Sequence, residues 1–294
     1  MSNKKVQEEF IKKFPEGKID EILKNHCTFQ IGGPADLFYE VRETAQIPEL
    51  IRFAITNNLP YLLIGRGSNI LFPDDGFRGL IIKNQTDHIE ESKDQFTADS
   101  GTLISRLTHL SPLEQWVGLP GTVGGAIYGN AGYNGLETKD ILKSAQIYDP
   151  QTDQIQEIPA TRLDLKYRHS ALKNSKKIIL KATFTRTPST LSPEQLEQIK
   201  KESRHFRLNV QPFGASSGSF FKNPNPQQPA GLLIDQAGLK GHSIGDAQIS
   251  EKHANFIINT GSATAKDVRK LATLIKKEVK AKFGIKLEEE VQII

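Results

Sequence analysis

Seven glycines fall within residues 118–135, in the run Gly-Leu-Pro-Gly-Thr-Val-Gly-Gly-Ala-Ile-Tyr-Gly-Asn-Ala-Gly-Tyr-Asn-Gly. Each glycine inside a helix costs about 0.5–1 kcal/mol relative to alanine, so a stretch this dense persists only where side chains have to be absent. Two readings follow: close approach of a large flat ligand, or a small-residue packing seam against a sheet. On the first, Pro120 starts a helix whose N-terminal amides face a pyrophosphate. Gly121, Gly125, Gly129 and Gly132 then clear one side.

The chain has 294 residues, enough for two or three modules. With 37% hydrophobic and 24% charged residues its composition is that of an ordinary globular protein, not a disordered or fibrous one. The net charge of +4 suits polyanionic small molecules and is too small for a nucleic-acid coat. A single cysteine, Cys27, excludes an internal disulfide framework and a Cys-rich zinc site, and it reads as a packing residue. No apolar run approaches the eighteen or so residues of a membrane span, and the charged N-terminus has no secretory pattern, so the expected location is the cytoplasm.

The first twenty-five or so residues read as a charged helical lead with apolar Val6, Phe10, Ile19, Ile22 and Leu23, broken by Pro15 and Gly17. Strands are expected at 38–41, 61–64, 79–83 and 178–185, and a hairpin over 145–158 turning at 149–153. Helices are expected at 47–57, 102–110, 192–207, 229–237 and 265–283, the last capped by Gly284, with a final strand to residue 294. Mixed order without repeats predicts an α+β protein with modules 1–84, 85–208 and 209–294. The polar stretch 84–94 forms the first boundary.

A second glycine motif, Gly65-Arg66-Gly67-Ser68-Asn69, follows a buried strand. Glycines permit positive φ there, so consecutive amides can converge on phosphate oxygens, with Ser68 and Asn69 adding side-chain donors. It is not a Rossmann fingerprint, because Ile70 stands where the third glycine belongs and a Pro-Asp-Asp turn follows instead of a helix. A tight β-turn remains the plain structural alternative.

Several further motifs occur in one order: Thr-Phe-Gln-Ile-Gly-Gly-Pro-Ala-Asp at 28–36, Tyr-Arg-His-Ser at 167–170, Gly-Ser-Phe-Phe-Lys-Asn-Pro at 218–224, Ala-Gly-Leu-Leu-Ile-Asp-Gln-Ala-Gly-Leu-Lys-Gly at 230–241 and Ile-Ser-Glu-Lys-His-Ala-Asn-Phe at 249–256. With the two glycine segments they make the chain resemble the UDP-N-acetylenolpyruvoylglucosamine reductases of peptidoglycan synthesis, in the shorter (type II) form. The resemblance implies a two-part FAD-binding fold of the vanillyl-alcohol oxidase type plus a C-terminal α+β substrate domain. FAD is the implied cofactor and NADPH the reductant, with hydride passing through the flavin to the enolpyruvyl ether and UDP-N-acetylmuramate as product. By that resemblance both glycine segments become FAD sites, Thr122, Gly124, Ala126 and Asn130 included, and the chain is expected to be a monomer without nucleic-acid, membrane or metal partners.

The same resemblance assigns catalytic roles to Arg168, Ser219 and Glu290. Hydride addition to the terminal enolpyruvyl carbon leaves negative charge delocalised into the carboxylate, which a fixed guanidinium such as Arg168 stabilises through two hydrogen bonds. Ser219 supplies the proton to the neighbouring carbon. Glu290 is the carboxylate of the final strand, in which Glu288 and Glu290 share one face and Glu289 the other. This strand departs from the family pattern, with Glu289 for proline and Gln292 for arginine. Tyr167, Lys222, Asn223 and Lys240 are candidates for substrate binding, and His253 reads as a structural residue with ligand contact as its alternative. A flavin-binding regulator without turnover and an FAD-dependent alcohol oxidase are the competing functions.

Overall fold

The computed structural model describes residues 3–133, 135–187 and 192–294. They cluster into two compact units that interleave along the chain: Met1–Ile19, Asp36–Arg66 and Arg78–His205 form the first, and Asp20–Ala35, Gly67–Phe77 and Phe206–Ile294 the second.

The first unit contains most of a four-stranded sheet in the order Lys18–Ile22, Pro34–Val41, Phe77–Asn84, Tyr61–Ile64. The last two strands run parallel, with Tyr61 opposite Leu80 and Ile64 opposite Lys83. The helix Gln46–Thr56 places Ile47, Leu50, Ile51 and Ala54 on one face, at spacings of three and four, and all are buried. The N-terminal helix, Asn3–Lys13, adds Val6 and Phe10, and the Phe10 ring lies 5.5 Å from both Phe14 and Phe53. The helical lead therefore ends earlier than the sequence predicts. After Pro15 the chain turns at Gly17, where a β-carbon would run into the Phe10 ring, and Lys18–Ile22 forms a strand. Ile19 and Ile22 are consequently exposed.

A five-stranded antiparallel sheet completes this unit, in the order Gln154–Pro159, Leu142–Asp149, Ile178–Thr185, Gln95–Asp99, Ile89–Glu91. Its edge strand Ile89–Glu91 lies inside the polar stretch 84–94. Phe96, Ala98, Ala145, Ile147, Ala182 and Phe184 form one core with Val123, Ala126 and Ile127 of the short glycine helix, Val123–Gly129. Of the helix expected at 102–110 only Ile104–Leu107 is helical.

The second unit is built on a four-stranded antiparallel sheet ordered Ala215–Ser219, Phe256–Asn259, Ala247–Ile249, Ser243–Ile244. The long helix Ala265–Phe283 buries Val268, Leu271, Ala272, Ile275 and Val279, the helical stripe visible in the sequence. Its N-terminus is capped twice. Thr264 and Asp267 form a reciprocal capping box, and the Asp74 carboxylate accepts from the amides of Ala265 at 2.7 Å and Lys266 at 3.1 Å. Gly284, at φ 72°, closes the other end. The last strand, Gln292–Ile293, pairs in parallel with Ile70–Leu71 and is shorter than expected.

Asp74 satisfies two donors that the first helical turn cannot satisfy itself. Asp74→Ala is expected to lower stability by about 1–2 kcal/mol, read as a lower urea midpoint with an unchanged slope. An unchanged midpoint would show that solvent serves those amides equally well.

Candidate functional site

In the first unit the two glycine motifs meet. A β-carbon on Gly65, just after the strand Tyr61–Ile64, would press into the Thr122 side chain, so glycine is required there for close approach. Thr122 is the N-cap of the glycine helix, and its hydroxyl accepts from the Gly125 amide at 3.4 Å. The helix thus begins at Val123, three residues beyond Pro120, and its first amides do not stand open to an anion. Val123 donates to Thr102 O at 2.9 Å and Gly124 to Ser100 O at 2.8 Å. The chain leaving the strand Gln95–Asp99 turns beneath the helix start, and its carbonyls take up these otherwise unpaired donors.

The glycines of this segment divide between the two readings. Gly124 packs on Ser100, with a β-carbon position 3.1 Å from its backbone, and a β-carbon on Gly132 would lie 2.7 Å from Glu137, so these two are packing glycines. Gly118 and Gly121 have φ of 80° and 114°, where a side chain is strained. Gly125 and Gly129, one turn apart, are different. A β-carbon on Gly125 would make only an ordinary 3.7 Å contact with Thr122, and one on Gly129 would meet nothing within 4 Å. This bare stripe fits the flat face of a ligand. Asn134, within the same run, lies outside the described residues.

Tyr167 and Arg168 occupy the tip of a two-residue turn closed by Lys166 N to His169 O at 3.1 Å and His169 N to Lys166 O at 2.9 Å. Arg168 has φ 53°, the left-handed region, and its guanidinium carbon lies 5.2 Å from the centre of the Tyr167 ring. Among the described residues, three side chains bond main-chain carbonyls in or beside this turn. Asn130 Nδ2 donates to Lys166 O at 3.0 Å, Lys173 Nζ to Arg168 O at 2.8 Å, and Ser170 Oγ to Tyr128 O at 2.7 Å. A non-glycine residue in this conformation costs about 1–3 kcal/mol, which three hydrogen bonds at roughly 0.5–1.5 kcal/mol each are sufficient to offset. Such outliers cluster where a side chain must be aimed.

In the second unit the loop after Gly65 continues through Gly67, at φ 65°, where a β-carbon would strike the His26 carbonyl and Cys27. Among the described residues the amides of Gly67, Ser68 and Asn69 have no acceptor within the chain, which is the donor set that a phosphate group needs. Arg66, preceding them, is exposed. Thr28 anchors the loop. Its amide donates to Gly67 O at 3.2 Å, its hydroxyl to Ser216 O at 2.7 Å, and its carbonyl accepts from Ser216 N at 3.1 Å.

Ser219 ends the strand Ala215–Ser219 just after an irregularity in its pairing with Phe256–Asn259. Gly218, at φ 79° with open space around its β-carbon position, provides the bulge that re-aims the following residue. The chain then runs against residues 288–291: Phe221 faces Glu289, Glu290 N donates to Phe220 O at 2.8 Å, and Lys222 N donates to Glu288 O at 2.9 Å. Ser219 and Glu290 are thereby brought onto adjacent segments. Asn69 joins them, since its side-chain amide donates to Glu290 O at 3.1 Å and its own carbonyl accepts from Gln292 N at 3.0 Å.

The three consecutive glutamates do not alternate as faces of one strand, because regular pairing begins only at Gln292. Glu288 is exposed and 3.2 Å from Lys222 Nζ, while Glu289 pairs with Lys276 of the long helix at 2.8 Å. Of the other substrate candidates, Lys240 pairs with Asp235 at 2.7 Å and Asn223 Oδ1 accepts from Ala230 N at 3.0 Å, at the start of the helix Ala230–Gln236. Two positioning residues carry no obvious signal by themselves. One is Thr28; the other is Asn255, whose buried side chain accepts from Phe221 N at 2.9 Å and donates to Phe221 O at 2.8 Å. His253 Nδ1 accepts from Asn255 N at 3.2 Å and its ring lies edge-on to Phe256, so the structural reading holds for this contact. Cys27 is buried, and its thiol donates to Ile31 O at 3.3 Å. Burial pushes that thiol up, against redox chemistry. Among the described residues no group of three or more His, Cys, Asp or Glu could hold a metal ion, and no helix is long and apolar enough to cross a membrane.

Two outcomes follow from these environments. Arg168→Val, which forces a β-branched residue to positive φ, is expected to cost about 1–3 kcal/mol, whereas Arg168→Gly should leave the thermal midpoint nearly unchanged. Equal destabilisation by both would place the energetic role in the side chain. Burial holds His253 below its ordinary value of 6.5. Below that pH the unfolded chain takes up a proton which the folded chain refuses, so stability should fall as pH drops from 7.5 to 5.5. His253→Gln should flatten that fall in urea titrations, and an unflattened slope would assign it to other groups.

Comparison with known proteins agrees with this geometry. A family model described as an FAD binding domain matches residues 35–157, and one described as the C-terminal domain of UDP-N-acetylenolpyruvoylglucosamine reductase matches residues 211–294. The reductase of that name from Protochlamydia amoebophila is 42% identical over 281 residues, covering 93% of this chain and 92% of the relative. That from Carboxydothermus hydrogenoformans is 40% identical over 307 residues, covering 100% and 99%. The crystal structure of UDP-N-acetylenolpyruvylglucosamine reductase from Thermus caldophilus superimposes with a TM-score of 0.78 at 31% identity, over 95% of this chain and 98% of that one. The fold is accordingly an FAD-binding domain followed by the C-terminal domain of that reductase, with mixed helix and strand content. The chain belongs to the UDP-N-acetylenolpyruvoylglucosamine reductase family, as an FAD-containing oxidoreductase of peptidoglycan precursor synthesis.

Proposed function

We propose that the chain reduces the enolpyruvyl ether of UDP-N-acetylenolpyruvoylglucosamine to UDP-N-acetylmuramate, with NADPH as reductant and one proton taken up per turnover. The observation that carries the reading is the adjacency of Ser219 and Glu290, tied through Glu290 N to Phe220 O at 2.8 Å. Family membership favours it over a flavin-binding regulator or an alcohol oxidase. When bound, FAD supplies the hydride that it takes from NADPH. The bare stripe of Gly125 and Gly129 and the open amides of residues 67–69 suit its flat ring and its diphosphate. Gly65, Arg66, Gly67, Ser68 and Asn69 are assigned to it, together with Pro120, Gly121, Thr122, Gly125 and Ala126; Gly124 and Gly132, which pack against Ser100 and Glu137, and Asn130, whose buried side chain is bonded within the protein, serve the packing of the segment instead. The two sheets of the first unit correspond in this reading to modules 1–84 and 85–208, with residues 209–294 as the substrate module of a monomer.

Arg168 holds the substrate carboxylate and stabilises the charge that develops there as the terminal carbon is reduced. The left-handed turn presents its guanidinium on a rigid backbone, so little reorganisation is needed at the moment of reaction. Ser219 gives its hydroxyl proton to the carbon beside the carboxylate, and Glu290 is the carboxylate that acts with it in the second unit. Tyr167, Lys222, Asn223 and Lys240 bind the UDP-sugar. Lys222 and Lys240, each paired with an acid at 3.2 Å and 2.7 Å, exchange those partners for phosphate oxygens.

Ser219→Ala tests the assignment. Bleaching of the flavin by NADPH should stay within about threefold of wild type, while reoxidation by the enolpyruvyl sugar slows about 10²–10⁴-fold, the range for a lost general acid. Equal slowing of both half-reactions would remove Ser219 as proton donor.

A further inference from the structure

We propose that Asn130 is a positioning residue for Arg168, acting through the turn that carries it; the inference rests on the reading of Arg168 as the cation at the substrate carboxylate. Asn130 is completely buried and sits at φ 44°, where it ends the glycine helix as its C-cap. Its side chain does three things at once. Oδ1 accepts from Lys139 N at 2.9 Å, and Nδ2 donates to Glu137 Oε2 at 3.1 Å and to Lys166 O at 3.0 Å. That last carbonyl also accepts from His169 N at 2.9 Å, the bond that closes the turn around Tyr167 and Arg168. A single oxygen therefore both defines the turn and docks it to the end of the glycine helix.

The other anchors do not duplicate this. Lys173 reaches the turn from the segment that follows it, and Ser170 binds Tyr128 O from beyond the closing pair. Asn130 is the one of the three whose side chain grips the closing carbonyl itself. The residue type is also specific. Glycine would supply the left-handed backbone without the donor, and aspartate would supply the acceptor but set a carboxylate against Glu137 and Lys166 O. Only a short amide meets all three demands. Both amide hydrogens are spent inside the protein, so the contribution of this side chain to the site is the orientation of Arg168.

The test uses full-length flavin-loaded protein and stopped-flow measurement of the two half-reactions, with NADPH and with the UDP-enolpyruvyl sugar, in Asn130→Gly, Asn130→Asp, Arg168→Ala and the double variant Asn130→Gly/Arg168→Ala. Flavin content and bleaching by NADPH should stay within about threefold of wild type. Reoxidation should slow about 10–100-fold in both Asn130 variants, the scale of a misplacement near 1 Å. The double variant should be no slower than Arg168→Ala alone, because a group that acts only through Arg168 has no effect once Arg168 is gone. Equal slowing of both half-reactions, additive defects in the double variant, or loss of flavin or of folding in both Asn130 variants would overturn the proposal and leave Asn130 a role in the fold alone. Wild-type reoxidation in Arg168→Ala would instead refute the reading of Arg168, an outcome separate from a slow Arg168→Ala beside unimpaired Asn130 variants.

Discussion

The main-chain pairing of residues 219–222 with 288–291 is the constraint on which the chemistry proposed for the second unit depends. Glu290 N to Phe220 O, Lys222 N to Glu288 O and the facing of Phe221 and Glu289 define one register. A slip of one residue would turn each side chain to the opposite face and separate Ser219 from Glu290. The register is protected from both sides. Asn255 binds both backbone groups of Phe221, and the buried Phe220 and Phe221 rings, 5.1 Å apart, lock the intervening residues in the core. Amides buried in such pairing are costly to leave unmade, so the backbone positions of Ser219 and Glu290 are fixed by it.

The same economy governs the first unit. The turn bearing Arg168 is held by bonds to the carbonyls of Lys166 and Arg168 and by Ser170 on Tyr128. These side-chain bonds fix the backbone from which the guanidinium projects. Glycine serves two distinct ends around them: Gly65 and Gly124 allow chain segments to touch, and Gly125 and Gly129 leave a surface bare. One glycine-rich run thus combines a packing seam and a ligand face, which the two readings of the sequence held apart.

What the sequence made legible was local. The helix Ala265–Phe283 and the strand Ile178–Thr185 follow from periodicity and from the glycine that ends the helix, and both occur where expected. The misread elements depend on distant partners. The glycine helix starts at Val123 because the carbonyls of Ser100 and Thr102 claim its amides, and residues 18–22 leave the helical lead because Gly17 must pass under the Phe10 ring. Arg168, Ser219 and Glu290 are singled out through the family resemblance, and their roles are proposals. Thr28 heads one of the motifs, but its anchoring role is not readable there, since its hydroxyl bonds a carbonyl 188 residues away. The two departures from the family pattern also acquire a physical setting: Glu289 ties its segment to the long helix through Lys276, and Gln292 is engaged through its backbone to Asn69, a bond any residue but proline could make.

The most direct measurement is a single turnover of the wild-type protein without oxygen. One equivalent of NADPH is expected to abolish the yellow absorption of the bound flavin, and the UDP-enolpyruvyl sugar to restore it with one UDP-N-acetylmuramate formed per flavin. A flavin that NADPH leaves oxidised, or one that regains its colour only when oxygen is admitted, would contradict it.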